Sequence, residues 1–343
     1  MNLNTIKNLL SKLFSKNITV ILLSFVVCFV LVFGLVKKFT TQSLPHLPQI
    51  TINQDQKQQI EFESLSFSKN PELPSSVDVP ETENNTFDLN DAQKIAASLG
   101  FLQKPKASSG QEKLSFSWSE QDFFYFYPTE GKVSYFINLS KNPAAFKSGK
   151  QPTIESAKDA AQKKLEELSL WDENFKFLKA FRMSGLGTEV YDLGNDKNTN
   201  VVETWYGLQL KNLPVYLINN DNPWVKVRIA RDGKVVGFEY KKPPRLKGES
   251  RNYQVLDRNQ ILKKLAGGEG TLSTFDLRTS IPKTIPSKLV TQMKIDSTQL
   301  SYFYPEQTKN FLLPIIVLRG TITTKDGFSG DVVVYLPAIN QES

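Results

Sequence analysis

One cysteine, Cys28, and one histidine, His46, occur in 343 residues. So few of either leave no room within one chain for a disulfide framework, a Cys/His zinc site, a Cys-His nucleophile pair or a Ser-His-Asp triad. Glycine-rich phosphate loops are missing too. Neither GxGxxG nor GxxxxGK[ST] occurs, and Gly185-Leu-Gly187 reads as a loop, so a parallel nucleotide-binding sheet is not expected. These absences predict no catalytic residues, no cofactor and no metal ion.

What is present is an ordinary folding composition, 40% hydrophobic and 22% charged, with a formal charge of +7. That charge does not mark a nucleic-acid partner. Residues 1 to 38 hold five lysines and no acid; removing those five from 42 basic residues leaves 37 against 35 acidic ones, a balance of +2. One local basic cluster remains, Lys241-Lys242-Pro-Pro-Arg245-Leu-Lys247-Gly-Glu-Ser-Arg251. Its prolines and the absence of aromatics before Tyr253 read as a solvated linker.

Between Lys16 and Lys37 lie 20 uncharged residues, Asn17 to Val36. A helix of that length covers roughly 30 Å, the thickness of a bilayer's hydrocarbon core. The pattern predicts a basic cytoplasmic leader at 1–17, a transmembrane helix at 18–36 and a stalk at 37–57, which holds His46. The lysines flanking the span favour, slightly, an N-terminus inside and the bulk of the chain outside the cytoplasm. The expected location is therefore the cell membrane, with a single pass and an extracytoplasmic domain. Cys28, in mid-span, reads as a small hydrophobe.

Beyond the stalk a helix signal recurs. Asn90-Asp-Ala-Gln93 has the form of a capping box before Ile95, Ala96 and Leu99. A second helix begins near Thr153 or Glu155 and carries Ala157, Ala161 and Leu165 on one face. Asp257-Arg-Asn-Gln260 opens a third. Each precedes β-rich sequence, such as Leu114–Trp118, Phe123–Tyr127 and Lys132–Asn138 after the first. Asp232-Gly233 and Asp326-Gly327 are hairpin signals. The predicted fold class is α+β: a transmembrane helix followed by repeated helix-plus-antiparallel-sheet units at 58–150, 151–247 and 248–343.

Ile154 to Leu168, Leu213-Pro-Val-Tyr216 and Asp232-Gly-Lys-Val-Val236 together resemble the PepSY-type units of extracytoplasmic bacterial proteins. Leu300-Ser-Tyr-Phe-Tyr304, Leu312 to Gly320 and Val334 to Ile339 are similar to the end of the YycH/YycI-type regulators. The likeness covers roughly residues 150–340. It implies a single-span protein with outward α+β domains and a non-catalytic binding role, in the manner of proteins that restrain a sensor histidine kinase.

Several patterns could carry chemistry. Ser66-Phe-Ser-Lys69 and Ser280-Ile-Pro-Lys283 have the Ser-x-x-Lys spacing of penicillin-recognising enzymes. The first lies in strand-like sequence, however, and the second contains a proline. Glu166-Glu167 and Glu61-x-Glu63 are acid pairs of the kind any acidic surface shows. Phe123-Phe-Tyr-Phe-Tyr127 is more informative: in a strand, Phe123, Tyr125 and Tyr127 share one face and Phe124 and Phe126 the other. The first three are the candidate partner-binding residues. The expected function is a membrane-anchored interaction or regulatory protein, binding a partner membrane protein, peptide or envelope component without catalysis. The alternative is a cell-envelope hydrolase built on a carboxylate pair.

Overall fold

Three of the helices start where a side chain can satisfy the free N–H groups of a first turn. Asp88 caps α1 (Leu89–Ser98) by accepting from the Asp91 N–H at 2.7 Å. Thr153 and Ser156 form a reciprocal box at α3 (Ile154–Glu167), and Asp257 and Gln260 do the same at α4 (Arg258–Ala266). The short α2 spans Ala144–Lys147. Small residues on the buried stripes, Ala92 and Ala96 in α1 and Ala157 and Ala161 in α3, let the helices lie close on a sheet.

The computed structural model describes residues 64–83, 86–109, 114–119, 122–138, 141–186, 189–192, 199–217, 223–277, 290–305, 310–324 and 329–339, all within the unit Pro48–Ser343. In chain order the strands are β1 (Ser64–Phe67), β2 (Ser76–Glu83), β3 (Lys106–Ser109), β4 (Leu114–Ser119), β5 (Phe123–Tyr127) and β6 (Lys132–Phe136). Then come β7 (Phe175–Leu186), β8 (Glu189–Asp192), β9 (Val201–Leu210), β10 (Leu213–Tyr216), β11 (Val225–Ile229) and β12 (Val235–Lys241). The last are β13 (Arg245–Gln254), β14 (Thr271–Leu277), β15 (Val290–Phe303), β16 (Leu313–Thr324) and β17 (Ser329–Pro337).

Among the described residues these strands make a 15-stranded sheet and a separate β13–β2 pair. The main path runs β14-β17-β16-β15-β10-β9-β11-β12-β6-β5-β4-β3. On its other side β9 pairs with β7, whose far end turns back as β8. β1 and β10 both lie parallel to β15, and the other pairings are antiparallel.

This corrects the expected fold class. The chain is mostly strand, and one mixed sheet dominates in place of repeated helix-plus-antiparallel-sheet units. The physical reason is edge pairing. β6 hydrogen-bonds β12, and β10 meets β15, so sheets that local sequence would leave open at their edges continue into one another.

The location is corrected as well. Among the described residues no helix is long and apolar enough to cross a membrane. The longest, α3, has 14 residues and is rich in lysine and glutamate, about 21 Å of helix against a core of about 30 Å. The segments read as leader and transmembrane helix, with Cys28, His46 and the stalk, lie outside the described residues. A single-pass, extracytoplasmic assignment is therefore not carried forward.

Alternation of side chains places the three longer helices on one face of the main sheet. Phe124, Phe126, Val133 and Phe238 are buried there, with Phe87 and Phe101, the residues that flank α1, against Phe126 and Phe124, and Val202, Thr204 and Val227 are buried with α3. The Tyr206 hydroxyl donates to the Lys158 carbonyl on that face at 3.4 Å. The register Leu208–Val215–Tyr302–Pro314 carries the same face into the C-terminal strands, where Leu265 of α4 and Val334 meet beside Gly270. On the opposite face of β4–β6, β12, β11, β9 and β7 the site is built.

Candidate binding surface

Two cross-strand rows make this surface. The first reads Ser119, Phe123, Phe136, Gly237, Arg228, Glu203 and Phe181, and the second Ser117, Tyr125, Ser134, Glu239, Lys226, Trp205 and Lys179. Each residue comes from a different strand. Opposed side chains in such rows sit about 5 Å apart at Cβ, close enough for ring–ring and ring–cation contacts.

Near the β5 end, Phe123 and Tyr125 stack at 6.4 Å with their planes 11° apart. At the β9 end, Trp205 and Phe181 meet at 4.9 Å, edge on. The Lys179 ammonium lies 4.4 Å from the Trp205 ring centroid and the Lys226 ammonium 5.0 Å from it, one from each neighbouring strand. Between the two ends, Gly237 carries no side chain; a Cβ there would come within 3.0 Å of Phe136. Arg228 crosses this gap and places its guanidinium 5.5 Å from the Phe136 ring.

Glu203 ties the rows together. It is 4% exposed, and its two carboxylate oxygens are both engaged: Trp205 Nε1 donates to Oε1 at 2.5 Å and Arg228 Nε to Oε2 at 2.6 Å. A carboxylate removed from water needs this degree of satisfaction. The pair fixes the indole and the guanidinium at the same time, so the ring surface is pre-oriented.

Glu239 pairs with Lys132 at 2.8 Å. Burial alone would raise its carboxyl pKa, but the hydrogen bond and charge of Lys132, with Lys226 and Arg228, outweigh burial and hold it below the usual carboxylate range. A depressed carboxylate stabilises the fold fully above its unfolded value and loses that contribution as the pH falls through the folded one. The stability difference between wild type and Glu239→Gln is accordingly expected to be about 1 kcal/mol or less near pH 7, to shrink as the pH falls below the ordinary glutamate value of about 4.3, and to be lost once it passes the depressed folded value. Urea unfolding across that range measures it. A difference that did not change as the pH fell from 7 into the acid range would mean that Glu239 does not titrate as described. Burial raises the Tyr127 phenol on the same face, which keeps it neutral.

Phe123, Tyr125 and Tyr127 are half-buried on this open face, while Phe124 and Phe126 are 0% and 1% exposed against Phe101 and Phe87 on the other. β5 lies between β4 and β6, so it offers side chains and not a backbone edge. Sequence reasoning missed Glu203, Trp205, Lys179, Lys226 and Arg228. The signal was alternation in Val-Val-Glu-Thr-Trp-Tyr-Gly and Val-Lys-Val-Arg-Ile, which puts Glu203 and Trp205, and Lys226 and Arg228, at outward positions.

The other candidates do not converge on a site. Glu166 accepts from Gln162 at 2.8 Å and Glu167 pairs with Lys164 at 3.3 Å, all on α3. Ser66 lies in β1 beside β15. Glu61, Glu63 and Ser280–Lys283 fall outside the described residues. The basic cluster is not a linker: Arg245–Gln254 is strand β13, paired with β2. Among the described residues no group of three or more His, Cys, Asp or Glu could hold a metal ion.

No protein-family model and no curated protein matches the chain. Among solved structures it is similar to an uncharacterized protein from Eubacterium rectale, 10% identical, over 80% of this chain and 88% of that one, with a TM-score of 0.47. A likeness at that level carries no weight on function.

Proposed function

We propose that this is a non-catalytic interaction protein that binds a protein or peptide partner through the open face of its sheet. The observation that carries the reading is the array of Phe123, Tyr125, Phe136, Phe181 and Trp205 interleaved with Lys179, Lys226 and Arg228, on the face away from the three longer helices. Aromatic rings and arginine are the side chains that dominate binding hot spots. Here they are held by one another and by Glu203, so little ordering entropy is lost on docking. A hydrolase reading has less to stand on, since Glu203 and Glu239, the acids of the two rows, are each paired with a cation.

The test is selection of linear peptides from a random library on the full chain, followed by affinity measurement on variants. Tyr125→Ser and Tyr127→Ser, one at a time, are expected to weaken a selected peptide by about 1–3 kcal/mol with an almost unchanged melting temperature. Failure to select any peptide, or binding indifferent to these variants, would overturn the reading. So would a loss of stability matching the loss of affinity, because the tyrosines would then be core residues.

A further inference from the structure

The C-terminal strands carry a second constellation, on the face away from α4. Alternation turns Tyr302 and Pro314 toward that helix, so their neighbours point the other way: Tyr216 beside Phe303, Ser301 beside Ile315, and Val317 between Gln299 and Tyr335. Tyr216 belongs to β10 and Tyr335 to β17, with β15 and β16 between them, yet their rings meet at 5.7 Å. The contact closes over the positions in between. Ser301, Ile315 and Val317 are each 0% exposed.

A hydroxyl in such a place needs a partner, and among the described residues Ser301 Oγ has none. The charge beside it is also unbalanced. Arg319, half-buried on the same face of β16, donates from Nη2 to the Tyr216 phenol oxygen at 3.2 Å. A guanidinium has five N–H donors, and a neutral oxygen that accepts from one of them leaves the positive charge standing. The acids nearest in register have contacts of their own: Asp296 accepts from Ser68, and Asp331, opposite Thr321, is not free. Because the Tyr216 oxygen accepts from Arg319, its own proton remains to be donated. Arg319, Tyr216 and Ser301 therefore make a donor-rich cluster with a single positive charge.

We infer that this cluster binds the carboxylate of a small aromatic acid, its oxygens shared among Arg319, the Tyr216 hydroxyl and Ser301, and its ring held between the two tyrosines. One guanidinium matches one carboxylate in charge and in fork geometry, whereas a phosphate dianion would keep a charge in excess. The tyrosine rings are tilted by 43°, neither stacked nor edge-on, so parting them gives up little of the energy that an ideal ring pair holds. Once parted, they flank the ligand and uncover Ser301. The inference stands apart from the peptide-binding reading, which uses other strands.

The probe is benzoate, titrated into the full chain by calorimetry. Benzamide serves as its uncharged counterpart and phenylphosphonate as a dianion, with melting temperature as a folding control for each variant. Saturable binding of benzoate in the millimolar range is expected. Arg319→Gln should weaken it about tenfold or more, and Tyr216→Phe and Ser301→Ala about threefold each. Without ligand, Ser301→Ala should melt no lower than wild type, because it removes a buried hydroxyl that nothing satisfies. Since benzamide changes only the ligand, that comparison stays decisive if a variant fails to fold. Benzamide binding as tightly as benzoate would overturn the role of charge, and tighter binding of the phosphonate would overturn the preference for a carboxylate. Benzoate binding indifferent to all three substitutions would lie elsewhere on the molecule and overturn the site. No binding, or a Ser301→Ala protein that melts markedly lower, would overturn the inference outright. None of these outcomes bears on the open face, which the library selection tests by itself.

Discussion

Replacing Arg228 with Met should destabilise the fold by about 2–4 kcal/mol, the cost of leaving a buried carboxylate without its cation. Glu203 is 4% exposed, and Arg228 Nε is the positive group on its Oε2. Trp205 Nε1 would still donate to Oε1, but one neutral donor does not compensate a full charge in a site closed to water. Replacing Glu203 with Gln should cost less, because Arg228 is 26% exposed at the side chain and can take up water. The double variant should recover most of the Arg228→Met loss, giving a coupling of about 1.5–3 kcal/mol in a double-mutant cycle. Urea unfolding of the four proteins measures it. Simple additivity would show that the pair is not the anchor of the face, and the pre-orientation of Trp205 would need another source.

A comparable effect is expected from a single methyl group at Gly320. This residue sits in β16 opposite Ile295 of β15, just before the point where β15 shifts register. A Cβ on Gly320 would lie 2.0 Å from the Lys294 carbonyl oxygen and 2.9 Å from its carbon. The obstacle is backbone held in a sheet, which cannot swing aside as a side-chain tip could. Gly320→Ala is expected to cost about 3 kcal/mol or more, the upper part of the overpacking range. Gly248→Ala, where nothing lies within 4 Å of the added atom, should fall within about 0.5 kcal/mol of wild type. A Gly320→Ala protein as stable as wild type would mean that β15 and β16 sit farther apart there than described.

Local signals were readable in the sequence where they act locally. Asp257 and Gln260 make their box where the spacing places it. The Asp232-Gly233 turn forms with Asp232 at a φ of 56°, and its carboxylate also takes the Lys150 N–H at 2.8 Å. At α1 the signal was displaced: Asp88 is the cap and Asn90 is already helical. What could not be read was which edges join. Nothing in Lys132–Phe136 names Val235–Lys241 as its neighbour, and β13 looked like a linker because two prolines precede it and its charges are those of a solvated segment. β2 supplies the missing partner, with Asn252 Nδ2 donating to Asp78 at 3.1 Å. The site shared this fate. Phe123–Tyr127 drew notice because its aromatics are consecutive, whereas Trp205, Lys226 and Lys179 come from three strands and become neighbours only through cross-strand register.

The parallel seat of β1 beside β15 governs when this molecule can be completed. Ser68, directly after β1, bonds Asp296, 228 residues further along. At a synthesis rate of about 5–20 residues per second, β1 leaves the ribosome roughly 10 to 50 seconds before its partner exists. Apart from β10, which also pairs with β15, the strands from β3 to β12, with α1 and α3, find their neighbours within the part already made, so the binding face can assemble while the chain is still growing. Leu65 and Phe67 can meet Arg258 and α4 earlier, but they have no strand neighbour until β15 arrives. A late strand is therefore what completes the seat of the first one described, and a chain that stops short of residue 290 leaves β1 without its strand neighbour.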